Sequence, residues 1–168
     1  ENDNYNLAPK HMAMPLGFSN YFAFVCTPRH CTYSNIQREK SFTVNFVKPN
    51  QVLLASLAAS PRSDSSNSTK EIINVLPTFN SIKNNLFIKD SYVLFECNLI
   101  KIIDGFDDYS IIVGKIETAL VHKDYKLYSD IDEQKHVYNN PLLAYLAQGR
   151  YASISESFNF PFPKDFQN

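Results

Sequence analysis

Phenylalanine, tyrosine, valine and isoleucine recur along this chain in short runs of strand character, which limits the fold more than any other feature. Tyr21 to Thr27 reads YFAFVCT, and Ser41 to Val47 reads SFTVNFV. The second run alternates Phe42, Val44 and Phe46 with Ser41, Thr43 and Asn45, the period of a strand with one face in a core. Asn85 to Lys89, Tyr92 to Ile103 and Ser110 to His122 follow as longer strands. Asp104-Gly105 and Asp107-Asp108 supply turn chemistry between the last two, so a long hairpin is expected.

Helices are fewer. Thr32 to Arg38, after a loop containing Pro28, reads as a short helix with Thr32 as N-cap. Gln51 to Ala59 (QVLLASLAA) lies between Pro49 and Pro61 and is hydrophobic nearly all round, so a buried helix is expected. Asn140 to Gly149 places Asn at an N-cap, Pro141 at the first helical position and Gly just past the end. That spacing predicts a helix whose Leu142, Leu143 and Leu146 face a core. Arg62 to Lys70 (RSDSSNSTK) has no apolar residue and is predicted to be a surface loop. No repeat of 20 to 50 residues is visible, which removes solenoids and propellers. With 168 residues the chain fits one domain, 1–168, and antiparallel strands with short inserted helices point to a closed or partly closed β-barrel.

Only four glycines occur, at 17, 105, 114 and 149. No dinucleotide fingerprint, P-loop or nucleophile elbow can be written with that spacing. A phosphate-bearing ligand must therefore be held by side chains and a helix N-terminus rather than by a glycine nest. Sixteen basic against seventeen acidic residues give a net charge of −1, which offers no footprint for nucleic acid or anionic lipid. The longest nearly apolar run, Val52 to Ala59, is too short to span a membrane, and Glu1 to Asn6 is too polar for a signal peptide. The chain opens on Glu1 rather than methionine, as a trimmed N-terminus would. Cys26, Cys31 and Cys97 are an odd number and sparse, as expected of free thiols in a reducing, cytoplasmic setting.

The densest reactive cluster is Cys26-Thr27-Pro28-Arg29-His30-Cys31-Thr32-Tyr33-Ser34-Asn35, between a strand and a helix. A helix N-terminus presents unpaired N–H groups and the positive end of a dipole, and nearby hydroxyl, amide and guanidinium groups would complete an anion site. Thr32 and Asn35 share one face of such a helix. Thr32 serves equally well as a plain N-cap, and Arg29 as a surface charge. No metal site is expected, because Cys26, His30 and Cys31 lack a fourth ligand at zinc-site spacing. A free Cys in such a run is most simply a small buried thiol.

Asn6-Leu7-Ala8-Pro9, Met14-Pro15-Leu16-Gly17, Asn20 to Pro28, Thr32 to Ile36 (TYSNI) and Phe42 to Asn45 (FTVN), in that order, resemble the flavin reductase-like family with the FMN-binding split barrel. Gly114 to His122, Pro141-Leu142-Leu143-Ala144-Tyr145 and Gly149-Arg150-Tyr151 resemble that family's closing strand and tail. The resemblance implies a mainly β, antiparallel Greek-key split barrel, a homodimer, and FMN in a groove near the dimer interface. It places Lys10, His11, Met12 and Ala13 beside the flavin, Cys26 and Thr27 along the ring and ribityl chain, and Thr32 and Asn35 at the phosphate. Arg29 joins the phosphate candidates from its charge. His122 occupies the place of a catalytic histidine near the nicotinamide or flavin ring, although a lone strand histidine also fits a solvent-facing position. The implied activity is hydride transfer from NADH or NADPH to flavin, with a monooxygenase as a candidate partner. A non-catalytic flavin carrier or sensor is the alternative, and a dimeric interaction module without cofactor a third.

Overall fold

The computed structural model describes residues 6–58, 75–81 and 84–159. The Arg62 to Lys70 loop and Ala59 fall outside them. The described elements are β1 (Ala13–Pro15), β2 (Tyr21–Cys26), α1 (Cys31–Glu39), β3 (Ser41–Phe46), α2 (Val52–Leu57), β4 (Thr78–Asn80), β5 (Leu86–Ile88), β6 (Val93–Phe106), β7 (Tyr109–Val121), α3 (Glu133–Asn139), β8 (Leu142–Ala147) and β9 (Arg150–Ile154), with 3-10 turns at Pro49–Gln51 and Lys123–Tyr125.

The expected long hairpin, β6–β7, is the spine. Its reversal is Asp107-Asp108, with Phe106 paired to Tyr109 and Asp107 at φ 53°. Gly105 serves another purpose: at φ 103° it lies within β6 where the register shifts between Ile103 and Phe106. Further shifts at Glu96/Cys97 and Leu99/Lys101 add bends, and bulges of this kind raise the local twist that curls a sheet.

The main sheet runs β1-β2-β7-β6-β3, with every neighbouring pair antiparallel. β2 pairs with the turn-proximal half of β7, Tyr21 opposite Lys115 and Cys26 opposite Ser110. β3 pairs with the other half of β6, Ser41 opposite Asn98 and Phe46 opposite Val93. The two outer strands thus sit on opposite edges and opposite halves of a bent hairpin, and their side chains meet across the interior. Phe22 meets Phe46 edge-on at 5.9 Å and Phe95 at 5.7 Å, while Phe24 meets Phe42 at 5.4 Å. Edge-to-face contacts at such separations are favoured by the ring quadrupoles. This is the partly closed barrel expected from the strand pattern, in the split-barrel form that the family resemblance implies. β5, paired with β4, is fully buried and is tied to β3 by side chains: Thr43 Oγ1 donates to the Leu86 carbonyl and Asn45 Oδ1 accepts from the Ile88 amide, both at 2.8 Å.

Four local expectations change. Residues 142–147 form β8, not a helix. Asn140 is the C-cap of α3, Pro141 follows it, and Gln148-Gly149 turns β8 into β9, with Gly149 at φ 71°. An Asn-Pro pair and a terminal glycine mark the end of one helix and a hairpin turn as readily as the two ends of another helix, and cross-strand pairing decides between them. Leu142 and Leu143 are half-buried and Leu146 is exposed, so these leucines do not form a core face. α1 begins at Cys31 with His30 as N-cap, so Thr32 is its second residue. α2 is not buried all round: Leu53 is 70% exposed and Leu57 is also exposed, because only one side of this short helix meets the barrel. Among the described residues, no helix is long and apolar enough to cross a membrane.

Gly114 is where backbone and ring approach most closely. A Cβ there would lie 2.7 Å from Phe42 Cε1 and closer still to Cζ, with Cys97 Cβ at 3.1 Å. Gly114→Ala is expected to lower stability by roughly 1–3 kcal/mol, the usual cost of overpacking a filled core. Denaturant unfolding checks this, and an unchanged midpoint would show that the Phe42 ring moves freely.

Candidate functional site

The barrel opens into a groove of about 1560 Å³. Its walls are the N-terminal segment (Asn6, Lys10, His11), α1 (Thr32, Asn35, Arg38), β3, α2 (Val52, Ala55), β5 and the β8–β9 hairpin (Tyr145, Tyr151), and Phe22 and Phe24 form part of its floor. His11 stacks on Tyr145, ring centroids 4.5 Å apart, and this contact joins the chain's first and last described segments.

At one end stands the N-terminus of α1. His30, its N-cap, makes no side-chain capping hydrogen bond, and no acidic residue lies in the first turn. Both common ways of neutralising a helix end are therefore missing; the Tyr33 amide donates to the His30 carbonyl at 3.0 Å, and the positive end of the dipole, with the Cys31 and Thr32 amides, faces an anion uncompensated. Thr32 and Asn35 line the groove beside it. The Thr32 hydroxyl accepts from Asn6 Nδ2 at 3.2 Å, which ties the N-terminal segment to the helix. Lys10 brings a cation, its Nζ 3.6 Å from the buried Cys26 sulfur. Next to Cys26, the Thr27 hydroxyl is buried with no hydrogen-bond partner among the described residues, a costly state for a polar group.

The structure brings Lys10, His11, Ala13, Thr32 and Asn35 together on the groove wall. Cys26 and Thr27 stand at the adjoining strand end, and Met12 is 47% exposed with its carbonyl accepting from the Val25 amide. Arg29 turns away from the groove to pair with Asp108 at the hairpin tip, N to O 3.0 Å, both side chains largely exposed. His122 lies past the end of β7, while Cys26 pairs with Ser110 at that strand's beginning. β7 has 13 residues, on the order of 40 Å of extended strand, so His122 is far from the α1 end of its own chain. There Lys48 Nζ lies 3.3 Å from His122 Nε2, the Asp124 amide donates to Nδ1 at 3.3 Å, and the Tyr125 ring meets the imidazole edge-on. Tyr125 stacks on Tyr92, which lines the groove's far end.

Sequence reasoning missed Asn6, Tyr145 and Tyr92 as wall residues, since an amide and two aromatics carry no spacing signal. It also missed α3, although Asp132 at its N-cap, accepting from the Lys135 amide at 2.8 Å, is an ordinary start signal. Cys31 is exposed, and Cys97 is buried with its thiol pushed up to about 12, by burial first and then by the charges of Glu96 and Glu117. Among the described residues, no group of three or more His, Cys, Asp or Glu side chains could hold a metal ion.

The sequence profile of the flavin reductase like domain matches residues 1–155. The chain belongs to the flavin reductase-like family. Three solved structures similar to this flavin reductase-like chain share its fold. An FMN-binding protein from Thermus thermophilus, solved with bound p-hydroxybenzaldehyde, is 18% identical over 93% of this chain and 82% of its own, with a TM-score of 0.73. A 2-nitrobenzoate 2-nitroreductase from Pseudomonas fluorescens is 21% identical over 97% and 80%, with a TM-score of 0.76. A protein with a split barrel domain from Shewanella frigidimarina is 17% identical over 94% and 78%, with a TM-score of 0.73. No curated protein matches the sequence significantly.

Proposed function

We propose that this flavin reductase-like protein binds FMN in the groove and acts as an NAD(P)H-dependent flavin oxidoreductase. One observation carries the reading: an uncapped helix N-terminus with no acidic residue in its first turn stands beside Thr32, Asn35 and Lys10 on the wall of a groove of mixed polar and apolar lining. The donor set fits a flavin nucleotide. The first-turn amides of α1, the Thr32 hydroxyl and the Asn35 amide would hold the phosphate, and Lys10 would offset its charge. Phe22, Phe24 and Phe42 offer the apolar surface that flat rings need.

Bound there, FMN would supply the hydride-accepting ring system, with NADH or NADPH as the hydride source. The protein's own residues bind, orient and exclude water. The groove exceeds the few hundred to about 1,000 Å³ of an ordinary small-molecule site, which leaves space for a second ligand beside the cofactor. At its far end His122, behind Tyr92 and Tyr125, is the proposed nicotinamide-side residue, and Lys48 next to it adds a cation for an anionic nucleotide. The reading includes a cytoplasmic homodimer. Tyr145, Leu146 and Tyr151, each about half exposed on the β8–β9 hairpin, provide apolar surface for a second copy to cover. Sedimentation is expected to give a dimer at micromolar concentration, and a monomer would contradict that part of the reading.

Thr32→Ala combined with Asn35→Ala is expected to weaken FMN binding by about 1.5–3 kcal/mol per lost charge-assisted hydrogen bond, while riboflavin binding changes little. Flavin fluorescence titrations measure both affinities, and equal losses would place the phosphate elsewhere. Anaerobic mixing of the FMN-loaded protein with NADH or NADPH is expected to bleach the flavin within seconds, and His122→Ala to slow the bleaching without altering FMN affinity. If neither nucleotide bleaches stoichiometrically bound flavin, the protein is a carrier or sensor.

A further inference from the structure

We propose that Asp104 is a positioning residue for the anion site: from the β6–β7 hairpin it fixes the direction in which the N-terminus of α1 points. The inference rests on the flavin-nucleotide reading and assigns a function to a carboxylate that lines no part of the groove. Asp104 Oδ1 accepts from the Tyr33 hydroxyl at 3.1 Å and from Ser110 Oγ at 2.6 Å. Tyr33 is in the first turn of α1, between groove-lining Thr32 and the helix interior, while Ser110 is fully buried on β7 opposite Cys26. One carboxylate oxygen thus joins the helix end to the strand end.

The remaining contacts of α1 do less to set its direction. Ile36, packed with Phe24, Cys26 and Ile112, and the Tyr33 ring against the same cluster hold the helix to the barrel through apolar contacts, which are non-directional. The C-terminal end is anchored by backbone: the Lys40 amide donates to the Ile36 carbonyl, and the Leu99 amide donates to the Lys40 carbonyl at 2.8 Å. At the N-terminal end the His30 amide donates to the Thr27 carbonyl at 3.0 Å, and no side chain caps the helix. Asn6 holds Thr32 on the groove side, and Tyr33–Asp104 holds the opposite flank. The nearby Arg29–Asp108 pair is 75% and 69% exposed, and ion pairs in that situation restrain little. A helix end that binds an anion through fixed amides loses affinity when its direction is loose, because the bound ligand must then order it. Partial burial, and then the hydrogen bond and charge of Asp104, raise the Tyr33 phenol above its ordinary value, so it remains a donor throughout the working range.

The test compares FMN with riboflavin, which differ only in the phosphate, by fluorescence titration of the apoprotein, with thermal unfolding alongside. Asp104→Ala and Tyr33→Phe are each expected to weaken FMN about tenfold, the scale of one lost hydrogen bond to a charged group, and to change riboflavin less than twofold. Asp104→Asn keeps an acceptor oxygen and is expected to restore FMN affinity to near wild type. Tyr33→Phe retains the ring's packing, so it reports even if Asp104→Ala fails to fold. Equal losses for both flavins would assign Asp104 a merely structural role and overturn the proposal. Tighter FMN binding in both Asp104 variants would also overturn it, by showing that the carboxylate acts through its charge. Wild-type protein that binds FMN no better than riboflavin would overturn the flavin-phosphate reading itself, which is distinguishable because it precedes any substitution.

Discussion

Closure of the barrel rests on rings that meet across its interior. β2 and β3 are not neighbours in the sheet, and Phe22–Phe46 and Phe24–Phe42 hold their faces together where backbone pairing does not. Contacts of this kind are individually worth about 0.5–1.5 kcal/mol beyond the area they bury, so several are needed, and Phe95 adds two more. The bends in the long hairpin bring the strands within reach, and the missing side chain at Gly114 admits the Phe42 ring. The same phenylalanines lie along the groove floor, so the contacts that close the barrel also shape the groove.

Strands were legible where the two-residue period was carried by bulky residues. β2, β3 and the β6–β7 hairpin lie within a few residues of their expected limits because each buries rings or branched chains that no other arrangement would hide. β8 was illegible for the opposite reason. Leucine and alanine favour a helix locally, and only pairing with β9, a partner visible in no short window, makes Leu142–Ala147 a strand. The burial of α2 was misjudged because composition counts apolar residues without saying whether a neighbour exists for each face of a helix.

The candidate site was legible as a neighbourhood and much less so as a set of contacts. The run from Cys26 to Asn35 does bring a strand end to a helix start, and Thr32 and Asn35 do share the groove wall. Which polar groups face the groove depended on distant residues. Arg29 is drawn off by Asp108, Tyr33 by Asp104, and Thr32 is met by Asn6, contacts that span 79, 71 and 26 residues. Charge and residue type suggested all of these groups alike, and the fold distributed them between groove and hairpin.

The His11–Tyr145 stack has a bearing on how the protein is made. The groove takes walls from Asn6 at one extreme and Tyr151 at the other, so it cannot be complete until the chain has been made as far as Tyr151. Strands of the sheet can begin to pair as they are synthesised, because the β6–β7 hairpin is local. The groove must wait for the β8–β9 hairpin, so any ligand that needs all of its walls meets a sheet whose strands have already paired.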